Sequence, residues 1–174
     1  MKIIFLGPTG TGKGTQAKFI SKLLKIKHIE TGAIFRKESK KNIFIKKLLG
    51  QGRLIPNKIT INIVNNEIRN KKNFILDGFP RTLVQANVLK FKPDLVLFIK
   101  TSKENLVKRL LLRKREDDTK KNIEERYHLY LKKTSPVIKY YKKKNVLVTV
   151  NGNPSIKEVS RNIKKILIRY QQQR

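Results

Sequence analysis

The decapeptide "GPTGTGKGTQ", residues 7–16, places four of the chain's nine glycines directly behind the apolar run Ile3, Ile4, Phe5 and Leu6. A short run that is apolar at every position reads as a strand buried on both faces, and hence as part of a parallel sheet. "GTQAKFISKLLKI" follows with Ala17, Ile20, Leu23 and Leu24 at helical spacing. Strand, glycine loop and helix make a βα unit. Gly7, Gly12 and Lys13 occupy the fixed places of G-x-x-x-x-G-K, with Gly14 in the usual Ser/Thr position and Thr15 after it. To wrap a phosphate chain, several backbone N–H groups must approach it at once, and side chains would block them. The start of the next helix offers the same anion unpaired N–H groups and a positive dipole end. Lys13 adds a full charge toward the outer phosphates. Taken alone, the loop implies a nucleotide phosphate and no particular reaction.

"NFILDG", "PDLVLFIK" and "NVLVTV" are further buried strands, and "HIETG" is ambiguous. "AIFRKESKKNIFIKKLLGQG" reads as helix with a break near Lys41. "NKITINIVNNEIRN" reads as a helix capped at Asn57, although its early isoleucines also alternate as in a strand. Thr101 with Glu104, and Ser155 with Glu158, form capping boxes. A long helical stretch after Asp118 should kink or break at Pro136. The last helix carries one apolar stripe of Ile156, Val159, Ile163, Ile166, Leu167 and Tyr170. Buried strands alternating with helices predict an open α/β fold, helices on both faces, with ligands at the carboxyl ends of the strands.

The 174 residues suit a single domain, 1–174. No apolar run approaches the ~18 residues of a membrane span, so no membrane partner is expected. With no cysteine there is no disulfide and no thiolate metal site, which agrees with a reducing, cytoplasmic location. The formal charge of +30 comes from 42 Lys plus Arg against 12 Asp plus Glu. A polyanion partner such as nucleic acid and the codon bias of an AT-rich genome both account for it; the basic residues are spread along the chain, and non-specific nucleic-acid affinity follows at low salt.

"LDGFPRT", residues 76–82, is the second chemical signal. Asp77 ends a buried strand on the phosphate rim, where a carboxylate can organise the water shell of Mg²⁺. Arg81 brings a planar fork suited to a phosphoryl group. With "GPTGTGKGTQ", "TGAIFR" and "LDGFPRTLVQA" in this order and at these distances, the chain resembles the adenylate kinases over residues 1 to about 170. The resemblance implies a P-loop NTPase fold of three α/β/α layers, with a five-stranded parallel sheet of order 2-3-1-4-5. It implies the reaction MgATP + AMP ⇌ 2 ADP by a monomer, with Mg²⁺ arriving as MgATP and held by Thr15 and, through water, Asp77. It places ATP on Gly10, Thr11, Gly12, Lys13, Gly14, Thr15, Arg109 and Asn153. AMP falls to Thr31, Gly32, Arg36, Arg53, Leu54, Ile55, Gly78, Phe79, Pro80, Arg81 and Gln85, with Gln85 reading the adenine edge. Arg113, Arg115 and Arg126 resemble the set that, with Lys13 and Arg81, neutralises the transferring phosphoryl group. Residues 32–61 correspond to a small, mobile, helical nucleotide-binding insert.

The departures from the family pattern are specific. Lys114 alone separates Arg113 from Arg115, so the lid, 113–118, is minimal and holds no zinc; poorer exclusion of water and more ATP hydrolysis follow. Ala33 and Asn151 stand where aspartate is usual. Asp117 and Asp118 are candidates for pairing with the arginines. The related uridylate/cytidylate kinases usually carry alanine before the "TG" glycine and asparagine after "GFPR", and Thr31 and Thr82 here favour AMP. A UMP/CMP kinase and a kinase-like nucleic-acid or ribosome-assembly factor remain as alternatives. His28 reads as a strand residue, His128 as helix surface, and Tyr127, Tyr130, Tyr140 and Tyr141 as packing.

Overall fold

A computed structural model describes residues 1–113 and 115–172; Lys114, the residue between Arg113 and Arg115 in the expected lid at 113–118, lies outside them. Five strands form one all-parallel sheet: β1 (Lys2–Leu6), β2 (Lys27–Glu30), β3 (Phe74–Asp77), β4 (Leu95–Lys100) and β5 (Leu147–Asn151), in the order β2-β3-β1-β4-β5. This is the expected order, and the ambiguous "HIETG" supplies β2. Strand alternation splits the apolar residues between two cores. Ile3, Phe5, Leu97 and Ile99 pack against Ala17 and Ile20 of α1 (Lys13–Leu24) and against Val159, Ile163 and Leu167 of α9 (Ile156–Gln172). Ile4, Leu6, Leu76 and Val96 face the other way. They meet Val64 of α4 (Asn57–Ile68), Ala86 of α5 (Leu83–Asn87), and Val137 and Tyr141 of α8 (Ser135–Lys143). Both faces of the central strands are therefore dry, and truncating one of these Ile or Leu side chains to Ala costs about 2–5 kcal/mol.

The helical insert is α2 (Thr31–Glu38), α3 (Ile43–Gly50) and the start of α4, around a small core of Phe35, Ile45 and Ile55. The break falls between α2 and α3, where Asn42 caps α3 by accepting from the Ile45 N–H at 3.1 Å. Beyond β4 come α6 (Lys103–Arg113) and α7 (Lys120–Leu129), joined by Leu106, Leu110 and Ile123.

Several local expectations shift by a residue or more. Asn57 is the first helical residue of α4, and Pro56 holds the N-cap place. Ser102, not Thr101, caps α6 through the Asn105 N–H, while the Thr101 hydroxyl is buried without a hydrogen-bond partner. The interruption assigned to Pro136 lies just before it, as a π-helical turn at Tyr130–Thr134 in which the Ser135 N–H reaches the Tyr130 carbonyl. Pro136, lacking an N–H, then sits in the first turn of α8, where none is needed. Ser155 and Glu158 do form their box: Glu158 accepts from the Ser155 N–H at 3.0 Å, and the Ser155 hydroxyl accepts from the Glu158 N–H. Ile156 is 64% exposed and drops out of the α9 stripe.

Parallel register brings Phe5 and Glu30 level with Asp77. The carboxyl ends of β2, β3 and β1 thus open on one rim, beside the glycine loop.

Candidate functional site

The glycine loop turns back over the end of β1. Gly12 has φ +89°, a left-handed conformation that strains any residue with a Cβ, and it caps α1 with no side-chain hydrogen bond. The first amides of α1 are therefore left to an incoming anion. Thr11 is buried and its hydroxyl donates to the Pro8 carbonyl at 3.0 Å, holding the loop closed on itself. Lys13 Nζ donates to the same carbonyl at 2.7 Å. Burial lowers its ammonium to about 8; Asp77 opposes the shift, and Arg81 and Arg113 add to it.

The segment after β3 is organised around Gly78, with φ +81°. A Cβ there would lie 2.8 Å from the Thr31 hydroxyl and 3.1 Å from Arg81 Nη2, so only glycine lets both approach. Thr31 donates to the Asp77 carbonyl at 3.1 Å, and Arg81 Nε to the Gly78 carbonyl at 2.8 Å. The Arg81 main chain is held twice more. Its N–H donates to Gln85 Oε1 at 2.7 Å, and its carbonyl accepts from the Thr134 hydroxyl at 2.9 Å. Thr134 belongs to the π-helical turn, so that irregularity serves to reach Arg81.

The remaining arginines are steered by carboxylates. Arg36 pairs with Glu30 at 2.7 Å. Arg113 meets Asp118 with Nε and Nη2, each at 2.7 Å. Arg126 contacts the same carboxylate at 3.1 Å, the Asp117 carboxylate at 3.3 Å, and also the Asp117 carbonyl. Burial works against ionisation of Asp118, but the Arg113 hydrogen bond and charge, then Arg126, outweigh it and hold the carboxyl below the usual range. Three of only 12 acidic residues, Glu30, Asp117 and Asp118, thus converge here to aim arginines. Burial lowers Arg81 and Arg115 from the ordinary arginine value, with Asp77 opposing the shift at Arg81 and Arg113 adding to it at Arg115.

Two of the cavities among the described residues are bordered by these groups. One, of about 540 Å³, is lined by residues 9–16 with Asp77, Arg109, Gly152 and Pro154. The other, of about 90 Å³, is lined by Phe35, Arg53, Leu54, Ile55, Thr60, Gln85 and Arg126. Arg36, Arg81, Arg113 and Arg115 border both. Asp77 Oδ2 would lie 3.3 Å from a Cβ on Gly14, so the carboxylate rests against the first turn of α1 next to Thr15. Among the described residues no three His, Cys, Asp or Glu cluster as a metal cage. One carboxylate and one hydroxyl suit a Mg²⁺ that brings its remaining ligands as water and phosphate.

The adenylate kinase family profile matches residues 5–146. The chain is 37% identical to an adenylate kinase of Clostridium kluyveri, covering 96% of this chain and 98% of the relative. It is 38% identical to one of Prochlorococcus marinus, covering 94% and 96%. The chain belongs to the adenylate kinase family. It is accordingly a kinase of nucleoside monophosphates. The clostridial alignment spans 212 positions, more than the 174 residues present, so that adenylate kinase carries segments this chain lacks. The Prochlorococcus alignment spans 175.

Most residues expected from the adenylate kinase resemblance border the two cavities. Pro80 lies close by, facing the Leu129–Tyr130 side of α7 and the π-helical turn. Three face elsewhere. Phe79 is 1% exposed within the core. Thr31 is spent on the Asp77 carbonyl. Asn153 Oδ1 accepts from the Ser102 N–H and from Asn105 Nδ2, while Arg109 is held by the Gly152 and Asn153 carbonyls. Ala33 is exposed on α2. Asn151 Oδ1 accepts from the Asn153 N–H at 3.0 Å, a turn contact that aspartate would equally make. Sequence reasoning missed Glu30, Asn57 and Thr134, and it left His28 as a plain strand residue. His28 does lie in β2, with its Nε2 3.6 Å from Asp77. Only Pro136, in the first turn of α8, hinted at an interruption, and nothing local tied it to Arg81.

Proposed function

We propose that the chain transfers the terminal phosphoryl group of MgATP reversibly to AMP, giving two ADP. The observation that carries this reading is the wall of four arginines common to the two cavities. A wall of that kind suits a phosphoryl group shared between two nucleotides. The glycine-loop cavity takes ATP, with the amides of residues 10–15 and Lys13 on its phosphates and Arg109 toward its base. The smaller cavity takes AMP, with Arg36 and Arg81 on its phosphate, Leu54 and Ile55 against base and ribose, and Gln85 on the base edge.

The bond between the β-bridging oxygen and the γ-phosphorus of ATP breaks as an AMP phosphate oxygen bonds to that phosphorus; ADP leaves and no proton need move. The catalytic demand is therefore placement and charge cancellation. Lys13, Arg81, Arg113, Arg115 and Arg126 supply the charge, and Asp118 holds two of them in aim before substrate arrives, which spares reorganisation. Thr15 and Asp77 would hold the Mg²⁺ of MgATP, directly and through water, and that ion would neutralise phosphate charge.

A cavity of about 90 Å³ is smaller than the ~300 Å³ of small ligand sites. The insert at 32–61 must open to admit AMP, and a hinge there completes the reading. With a lid confined to 113–118, closure over ATP relies on the arginines themselves. We also read the protein as a monomer working in the cytoplasm, in keeping with its lack of cysteine. The test is a coupled assay for ADP with AMP, UMP and CMP as acceptors under MgATP. AMP should be preferred; a preference for UMP or CMP reassigns the acceptor, and no turnover with any of the three refutes the reading.

A further inference from the structure

Gln85 is 2% exposed and borders the smaller cavity. Its side-chain amide is held at both ends. Oε1 accepts from the Arg81 N–H at 2.7 Å, and Nε2 donates to Asn57 Oδ1 at 2.9 Å. A backbone N–H can only donate, so the oxygen must face Arg81 and the nitrogen must face Asn57. Asn57 Oδ1 also accepts from the Thr82 hydroxyl at 3.1 Å, and that hydroxyl caps α5 by accepting from the Gln85 N–H. An amide oxygen accepts two hydrogen bonds and an amide nitrogen donates two. The protein uses one of each, which leaves one acceptor and one donor side by side.

We propose that Asn57 is a specificity-determining residue that locks the Gln85 amide in the one orientation matching a 6-aminopurine and rejecting a 6-oxopurine. The inference rests on the reading that the smaller cavity holds the acceptor nucleotide's base. Adenine presents an exocyclic N–H donor beside the N1 acceptor; hypoxanthine presents a carbonyl beside an N–H. The two bases have nearly the same outline, so apolar walls such as Ile55 and Phe35 distinguish them poorly, and discrimination falls to the hydrogen-bond pattern. A glutamine free to rotate by a half-turn would serve both patterns. Here that rotation sets oxygen against Asn57 Oδ1 and nitrogen against the Arg81 N–H, breaking two buried hydrogen bonds without replacement. Asn57 does not contact the base in this account; it acts through Gln85 and is a positioning residue.

The experiment compares kcat/KM for AMP and IMP under saturating MgATP in wild type and in Asn57→Ala, Asn57→Ser and Asn57→Asp. Alanine and serine remove one of the two locks, and the AMP-to-IMP ratio should fall at least fivefold, with KM for AMP rising more than kcat falls. Aspartate keeps an acceptor for both Nε2 and the Thr82 hydroxyl, and its ratio should stay within about twofold of wild type. A purely structural Asn57 would lower both nucleotides together and leave the ratio unmoved; that result in either Asn57→Ala or Asn57→Ser overturns the proposal, as does an aspartate variant that loses discrimination like alanine. A wild type that neither binds nor phosphorylates AMP overturns the base-site reading, and the lock with it, and is distinguished by that first measurement.

Discussion

Titrating MgATP into the protein at pH 8.5 should draw protons from the buffer, because the free loop holds Lys13 at about 8. Burial and the charges of Arg81 and Arg113 set that value, with Asp77 opposing them. A bound triphosphate places several negative charges against the ammonium and restores its affinity for the proton. The fraction of Lys13 lacking a proton is about three quarters at pH 8.5 and about one tenth at pH 7, so uptake per site should be roughly 0.7 and 0.1 protons. ATP itself is fully deprotonated at the higher pH and adds nothing. If only the protonated lysine holds the phosphates well, affinity should fall about tenfold between pH 7 and 9, or about 1.4 kcal/mol. Calorimetry in two buffers of different ionisation enthalpy reads the uptake directly, and Lys13→Met supplies the control. Equal uptake at the two pH values, or the same uptake in Lys13→Met, would refute the argument that this lysine is tuned by the loop.

Other expected outcomes follow from the remaining geometry. Arg81→Ala should lower kcat/KM by a factor corresponding to roughly 3–5 kcal/mol of transition-state stabilisation while the thermal midpoint moves little, as steady-state kinetics beside a melting curve will show. Asp118→Asn releases Arg113 and Arg126 and should cost roughly 1–3 kcal/mol at neutral pH. The depressed carboxyl stabilises the fold above its unfolded pKa and ceases to do so as pH falls through the folded value. The gap between variant and wild type should therefore close in melts below the carboxylate range, and a gap unchanged at pH 2 would contradict the pairing. Ser155→Ala removes the α9 cap and should cost about 1 kcal/mol, read as a lower melting midpoint with unchanged turnover.

Much of the fold was readable because its signals are local. "KIIFL", "NFILD" and "DLVLFI" are apolar at nearly every position, and only a sheet covered on both faces uses such strands. The glycine loop is likewise a local matter: Gly12 carries its own permission for positive φ. Capping was less legible, because neighbouring hydroxyls compete. Thr101 and Ser102 both suit an N-cap, and the burial of Thr101 against the end of β4 and Gly152 decided for Ser102. The stripe on α9 lost Ile156, whose side chain is exposed in the first turn while its carbonyl accepts from Gln16 Nε2. The convergence of the arginines was invisible from spacing. Arg36 and Arg113 lie far apart in the chain, and their meeting depends on β1 lying between β3 and β4.

The sequence alone determined that the chain folds as a doubly covered parallel sheet and turns a glycine loop with open amides where β1 meets α1, because each of those outcomes is set by residues within a few positions of one another. The tertiary structure decided which charges share a wall, that Asp118 aims two arginines, that Thr134 reaches Arg81 from a π-helical turn, and which way the Gln85 amide faces. Those outcomes depend on partners distant in the chain, and burial leaves each polar group only one way to be satisfied.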